Sequence, residues 1–174
     1  MVETHADALI PDPADIAAIL GGVALTPWPT TAAERVEAYA SFGLAEGVEL
    51  EPDDSGLELS TMLNPQIPFI TASSFNGEFL GISLHLYANP EPLFADTVRG
   101  YEELASLLER RFGRPAEVGG DENFPALEWI LGPLSLQLYA FTERDSAVMV
   151  GIEHIARSRA YEAAAYSAPD PSTE

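Results

Sequence analysis

The sequence predicts an α+β domain in which a largely antiparallel sheet packs against one long amphipathic helix. Three observations predict it. Between Leu93 and Phe112, the residues Phe94, Val98, Tyr101, Leu104, Leu108 and Phe112 recur every three or four positions, the spacing of a single helix face. From Val48 to Ala88, and again from Leu127 to Glu153, apolar residues return at every second position, as in strands with one buried face. Within the first of these stretches stands Asn76-Gly77, a dipeptide suited to the positive φ angles of a type I′ hairpin turn. The expected order is α-α-β-β-β-β-α-β-β-β-α, in one domain spanning 11–166, with a flexible N-terminus over 1–10 and a flexible tail over 167–174.

Each element has a local reason. Asp12-Pro13 offers an N-cap acceptor followed by a proline at the first helical position, and Ile16, Ile19 and Leu20 supply a short apolar face that Gly21-Gly22 is expected to stop. Thr31-Ala32-Ala33-Glu34 matches a capping box, opening a second helix in which Val36, Tyr39 and Ala40 share a face and Gly43 closes the end. Val48 and Leu50, the cluster Asp53-Asp54-Ser55-Gly56, then Leu57, Leu59 and Thr61 read as a hairpin. Pro68 to Phe75 and Glu78 to Ala88 form the next one about Asn76-Gly77. In its second strand, alternation places Leu80, Ile82, Leu84 and Leu86 inward and Phe79, Ser83, His85 and Tyr87 on the opposite face.

The long helix carries Arg110-Arg111 in its last turn, where cations complement the helix dipole, and Gly113 and Pro115 end it. Leu127 to Leu131, a Gly132-Pro133 turn, Leu134 to Thr142, a turn at Glu143-Arg144-Asp145, and Ala147 to Glu153 make three further strands. A final helix runs from Ile155 to about Tyr166.

Composition narrows the function. Twenty-eight carboxylates stand against eight cations, every one an arginine, for a formal charge of −20. Nucleic-acid backbones and anionic membranes are therefore poor partners, since both are held by clustered Lys and Arg; a basic or neutral protein is the better match. The absence of Cys rules out disulfides and thiolate metal sites and fits a reducing cytoplasm. Met1 to Ile10 has no basic signal-peptide start, and no run of about 18 apolar residues is present to span a bilayer, so a cytoplasmic protein is expected.

No catalytic signature emerges. His5, His85 and His154 lie at no metal-ligand spacing, there is no nucleophile elbow or phosphate loop, and without Lys there is no Schiff base. No cofactor or metal is expected, and the chain reads as a non-enzyme. Asp53-Asp54-Ser55-Gly56-Leu57-Glu58 lacks the alternating ligands of a calcium loop and reads as a solvated turn. Trp129, in an apolar strand, reads as core. Charge distribution says more than any motif. Between Arg35 and Arg99 there is no cation, while Glu37, Glu46, Glu49, Glu51, Asp53, Asp54, Glu58, Glu78, Glu91 and Asp96 all fall there. An acidic docking surface follows, built on Glu49, Glu51, Asp53 and Asp54, with Phe79, Tyr87 and Trp28 as apolar anchors and the loop bearing Asp121 and Glu122 as a second contact. The same charge also serves solubility.

The stretch Leu107-Leu108-Glu109-Arg110-Arg111-Phe112-Gly113-Arg114-Pro115, followed by Trp129, Gly132 and Leu134-Ser135-Leu136-Gln137-Leu138, resembles small bacterial domains found beside secreted-toxin systems. These are of the kind that includes the immunity factor for the tuberculosis necrotizing toxin. The resemblance covers about a third of the chain and its residues are structural, so no contact residue carries over. It implies a cytoplasmic protein that binds a toxin domain and blocks its active site. A second likeness, to type III secretion chaperones, rests on element order and acidity, although this chain has more strands. It implies an adaptor that holds a client segment.

Overall fold

The structure, a computed structural model, describes residues 8–49, 56–61, 67, 69–120 and 124–167. Its elements are α1 (Pro13–Leu25), α2 (Ala32–Ser41), β1 (Leu44–Glu49), β2 (Gly56–Thr61), β3 (Phe69–Phe75), β4 (Glu78–Asn89), α3 (Ala95–Phe112), β5 (Ala116–Gly120), β6 (Pro125–Leu131), β7 (Leu134–Phe141), β8 (Ser146–His154) and α4 (Ile155–Ser167). The α+β class is as expected, with one strand more: β5 runs where the sequence pattern reads as loop. Its Gly119 and Gly120 lack side chains to alternate, so periodicity could not reveal it.

All eight strands form one antiparallel sheet in the order β1-β2-β3-β4-β8-β7-β6-β5. Two meanders of four strands meet at the centre through β4 and β8, and α3 makes the connection between them. Helices α1 and α3 cover one face. There Ile16, Leu20, Leu104 and Leu108 pack against Ile70, Ile82, Leu84, Leu136, Leu138, Val150 and Ile152, all buried. Leu9, inside the stretch expected to be flexible, is buried in this core as well.

Local signals explain most helix ends. Asp12 caps α1 by accepting from the Ala14 amide at 2.8 Å, and Thr31 and Glu34 close the capping box of α2. The Gly21-Gly22 pair does not end α1, which continues to Leu25. A Cβ on Gly21 would lie 2.0 Å from Cζ of Arg111, so the last turn of α3 lays its guanidinium across α1 at this point. The pair is a packing site rather than a breaker. At Asn76-Gly77 the φ angles are 52° and 77°, as a type I′ turn requires.

The largest departure from simple alternation lies in β4. Its register with β3 slips between Ser73 and Ser74, and its register with β8 slips between Leu86 and Asn89. Each slip inserts one extra residue, a β-bulge, and one extra residue reverses which side of the sheet the following side chains occupy. The first bulge turns Phe79 into the core and leaves Leu80 outside that cluster, under α4. At the second, Tyr87 takes φ 51° and drops its ring against α3, where its hydroxyl donates to the Pro11 carbonyl at 2.8 Å.

Candidate functional site

Among the described residues, the sheet face turned away from α1 and α3 is covered only along one side, by α4. Cross-strand register orders it in rows. Phe69, His85, Met149 and Tyr139 stand side by side on β3, β4, β8 and β7. The next row is Glu58, Thr71, Ser83, Gly151, Gln137 and Glu128, from β2 to β6. The third is Ser73, Gly81, Glu153, Ser135 and Ile130. Small residues in the middle and aromatic or branched ones outside leave Phe69, Ile130 and Phe141 exposed. Ser135 Oγ donates to Glu128 Oε1 at 2.5 Å, and Ser158 Oγ donates to Glu153 Oε2 at 3.0 Å.

The electrostatics of this face follow from where the arginines are. The eight strands contain seven glutamates (Glu46, Glu49, Glu58, Glu78, Glu117, Glu128 and Glu153) and no arginine. Every arginine sits in a helix, a loop or a turn. The single ion pair found among the described residues, Arg99 with Asp96 at 3.2 Å, lies on α3. The cation-free interval read from the sequence is thus a property of the whole sheet.

Helix α4 lies along one side of this face and makes a trench with it. Ser73, Ser74, Leu80, Glu153, Ser158, Tyr161 and Glu162 enclose about 250 Å³. A shallower hollow of about 70 Å³, floored by Gly81 and Gly151 and bordered by Ser83, Gln137, Tyr139 and Met149, shares Ser73 and Glu153 with it. The helix is fixed by Arg157, whose Nη1 donates to the carbonyls of Pro29 and Phe79, both at 2.9 Å. The Phe79 carbonyl also accepts from Trp28 Nε1 at 3.1 Å. The bulged backbone at Phe79 therefore ties three distant segments together.

A second depression lies over Trp28, bounded by Pro27, Pro29, Glu34, Glu37 and Ser41. Its Glu34 carboxylate is already engaged. It accepts from the Thr30 amide, the Thr30 hydroxyl and the Thr31 amide, and those hydrogen bonds hold its pKa below the usual carboxylate range. Glu37, together with Oε1 of Glu34, is left there to meet a ligand.

The residues expected to bind a partner are distributed as follows. Phe79 and Tyr87 are 6% and 8% exposed, so neither is a surface anchor; the two bulges turned them inward against the strand period. Trp28 is half-buried and stacks on Phe79, ring centroids 4.8 Å apart. Glu49 ends β1, opposite Leu57. Glu51, Asp53, Asp54, Asp121 and Glu122 lie outside the described residues. Sequence reasoning missed Glu128, Glu153, Tyr161 and Glu162. A signal existed for Glu153: with Val148, Val150 and Ile152 inward, it is the one charge in β8 and must face outward.

Among the described residues, no group of three or more His, Asp or Glu is gathered to hold a metal ion, and no helix is long and apolar enough to cross a membrane. The fold and site define an acidic single-sheet α+β protein with one sheet face largely open. Comparison with protein-family models, curated proteins and solved structures gave no match to this chain.

Proposed function

We propose that this chain is a non-enzymatic binding protein that docks a basic protein partner on the open face of its sheet, acting in the cytoplasm as an immunity-type inhibitor that occludes a toxin domain. The observation that carries the reading is the arginine-free sheet, whose open face carries Glu58, Glu128 and Glu153 in its rows. Such a surface attracts a cationic partner from a distance and raises its rate of encounter. Phe69, Ile130 and Phe141, exposed at the margins of the face, supply apolar contact once the partner is seated. What the face offers chemically is hydrogen-bond acceptors, negative charge and aromatic edges, which suit holding a surface.

The experiment is co-expression with the toxin domain encoded in a neighbouring reading frame, scoring growth, followed by association kinetics between about 0.05 and 0.5 M salt. The triple variant Glu58→Gln, Glu128→Gln, Glu153→Gln is expected to associate roughly fivefold more slowly at low salt and to converge on the parent at high salt. No growth rescue, or an unchanged rate and salt slope in the variant, sinks the proposal.

The trench beside α4 favours a second reading, a secretion chaperone or adaptor that holds an extended client segment there. Binding of a client only when it is unfolded, together with a dimeric chain in light scattering, is the outcome that distinguishes it.

A further inference from the structure

The trench between α4 and the sheet has the parts of a receptor for one long cationic side chain. From this we infer that it is the specificity pocket of the docking face, taking an arginine or lysine projected by the partner. The inference rests on the proposed function only in taking that partner to be basic.

The parts are these. Leu80, the residue displaced by the first bulge, forms an apolar floor of the trench while itself only 6% exposed. An aliphatic stem of three or four methylenes lies well on such a floor while its charged head stays at the polar end. Two carboxylates, Glu153 from β8 and Glu162 from α4, line the same space. Ser158 Oγ donates to Oε2 of Glu153, which orients that carboxylate and leaves Oε1 for a guanidinium or ammonium donor. Tyr161 completes the wall. Its ring meets Phe75 edge-on, centroids 5.3 Å apart, so it is held in place as an aromatic surface for a cation.

Among the described residues, no cation lines the trench. Of the two arginines on α4, Arg157 places its Nη1 on the carbonyls of Pro29 and Phe79, and neither it nor Arg159 lines the trench. Ser158, Tyr161 and Glu162 follow the three-and-four spacing that puts them on one face of α4. The neighbouring hollow over Gly81 and Gly151 adjoins the trench at Ser73 and Glu153, on the side from which the inserted side chain's backbone would approach. Charge complementarity thus selects the occupant, and the bulge in β4 creates the floor on which it lies.

The test uses the full chain and a capped triarginine peptide, followed by amide chemical-shift perturbation at low salt. Shifts concentrated at Ser73, Leu80, Glu153, Ser158, Tyr161 and Glu162 are expected. The pair Glu153→Gln, Glu162→Gln should weaken the peptide about fivefold, while Glu102→Gln, Glu109→Gln, which removes as much charge from exposed positions on α3, should leave it within about twofold. Both trench variants keep side-chain oxygens, so Ser158 retains an acceptor and folding is checked by the unchanged spectrum elsewhere. Absence of binding overturns the inference, as does a peptide that perturbs the acidic surface at large and is weakened equally by both pairs. A triarginine seated in the trench without any neutralised toxin leaves the pocket standing and removes the immunity reading. A toxin still captured normally by the trench pair does the reverse.

Discussion

Gly100, in the second turn of α3, is where helix propensity and packing make opposite predictions, and the structure decides between them. On propensity alone Gly100→Ala should stabilise an interior helical site by about 1 kcal/mol. The Cβ it adds, however, would stand 2.3 Å from Cδ2 and 2.4 Å from Cε2 of Tyr87, against an ordinary carbon–carbon contact of about 3.5–4.0 Å. More than an ångström of clearance has to be made. The ring cannot easily supply it, being 8% exposed, attached to a backbone held at φ 51° and tied through its hydroxyl to Pro11. Overpacking of this kind costs about 1–3 kcal/mol, and displacing the buried hydroxyl from its acceptor adds about 1 kcal/mol. Setting the propensity gain against these leaves a net loss of about 2 kcal/mol, or about 4–8 °C in Tm for a chain of this size.

Urea denaturation followed by far-UV circular dichroism measures it, with the same substitution repeated in a Tyr87→Ala background. There the obstacle is gone, so Gly100→Ala should be neutral or stabilising by up to about 1 kcal/mol, giving a coupling of about 2–3 kcal/mol. A single variant as stable as the parent, or a double-mutant cycle with no coupling, refutes the reasoning.

Two further outcomes rest on other contacts. Arg157→Met removes a guanidinium that donates to both Pro29 and Phe79, so it should cost about 2 kcal/mol in urea and loosen the Trp28 segment, read by a change in tryptophan emission; an unaltered midpoint contradicts this. Stability should also fall in alkali. Burial raises the pKa of Tyr39, Tyr87 and Tyr139 above the ordinary value near 10, so above that pH the unfolded chain releases protons that the folded chain keeps. The native state then holds the excess of protons, and unfolding free energy declines by up to about 1.4 kcal/mol per pH unit for each such tyrosine, from a plateau below pH 10. Tyr87→Phe should make the decline shallower. Tyrosinate absorbance that rises fully near pH 10 with no loss of structure is the contrary result.

How much was readable in advance varied with the range of the physics involved. Caps and turns depend on a few adjacent residues, and Asp12, the Thr31–Glu34 box and Asn76-Gly77 perform as their local chemistry requires. The face of α3 was equally readable through Tyr101, Leu104 and Leu108, and Trp129, expected in the core, is 3% exposed with its Nε1 donating to the Gly113 carbonyl at 2.8 Å. Gly21 misled because a helix-breaking residue and a residue that admits a neighbour's guanidinium look the same in one dimension. Phe79 and Tyr87 misled because period-two reasoning assumes an unbroken ladder, and β4 is bulged near both ends. For the candidate site, acidity was evident and its location was not: the trench unites Ser73, Leu80, Glu153 and Glu162, which only the pairing of β4 with β3 and β8 and the packing of α4 bring together.

The sequence by itself determined the type of every element but β5, the α+β class and a charge that leaves a run of strands without any cation, because periodicity, capping and charge are properties of neighbouring residues. The tertiary structure alone decided which side of the sheet each β4 residue occupies, that all eight strands share one sheet free of arginine, and that a displaced leucine became the floor of an acidic trench. Those outcomes depend on register, and register is fixed by pairing between strands far apart in the chain, where one inserted residue reverses every side chain beyond it.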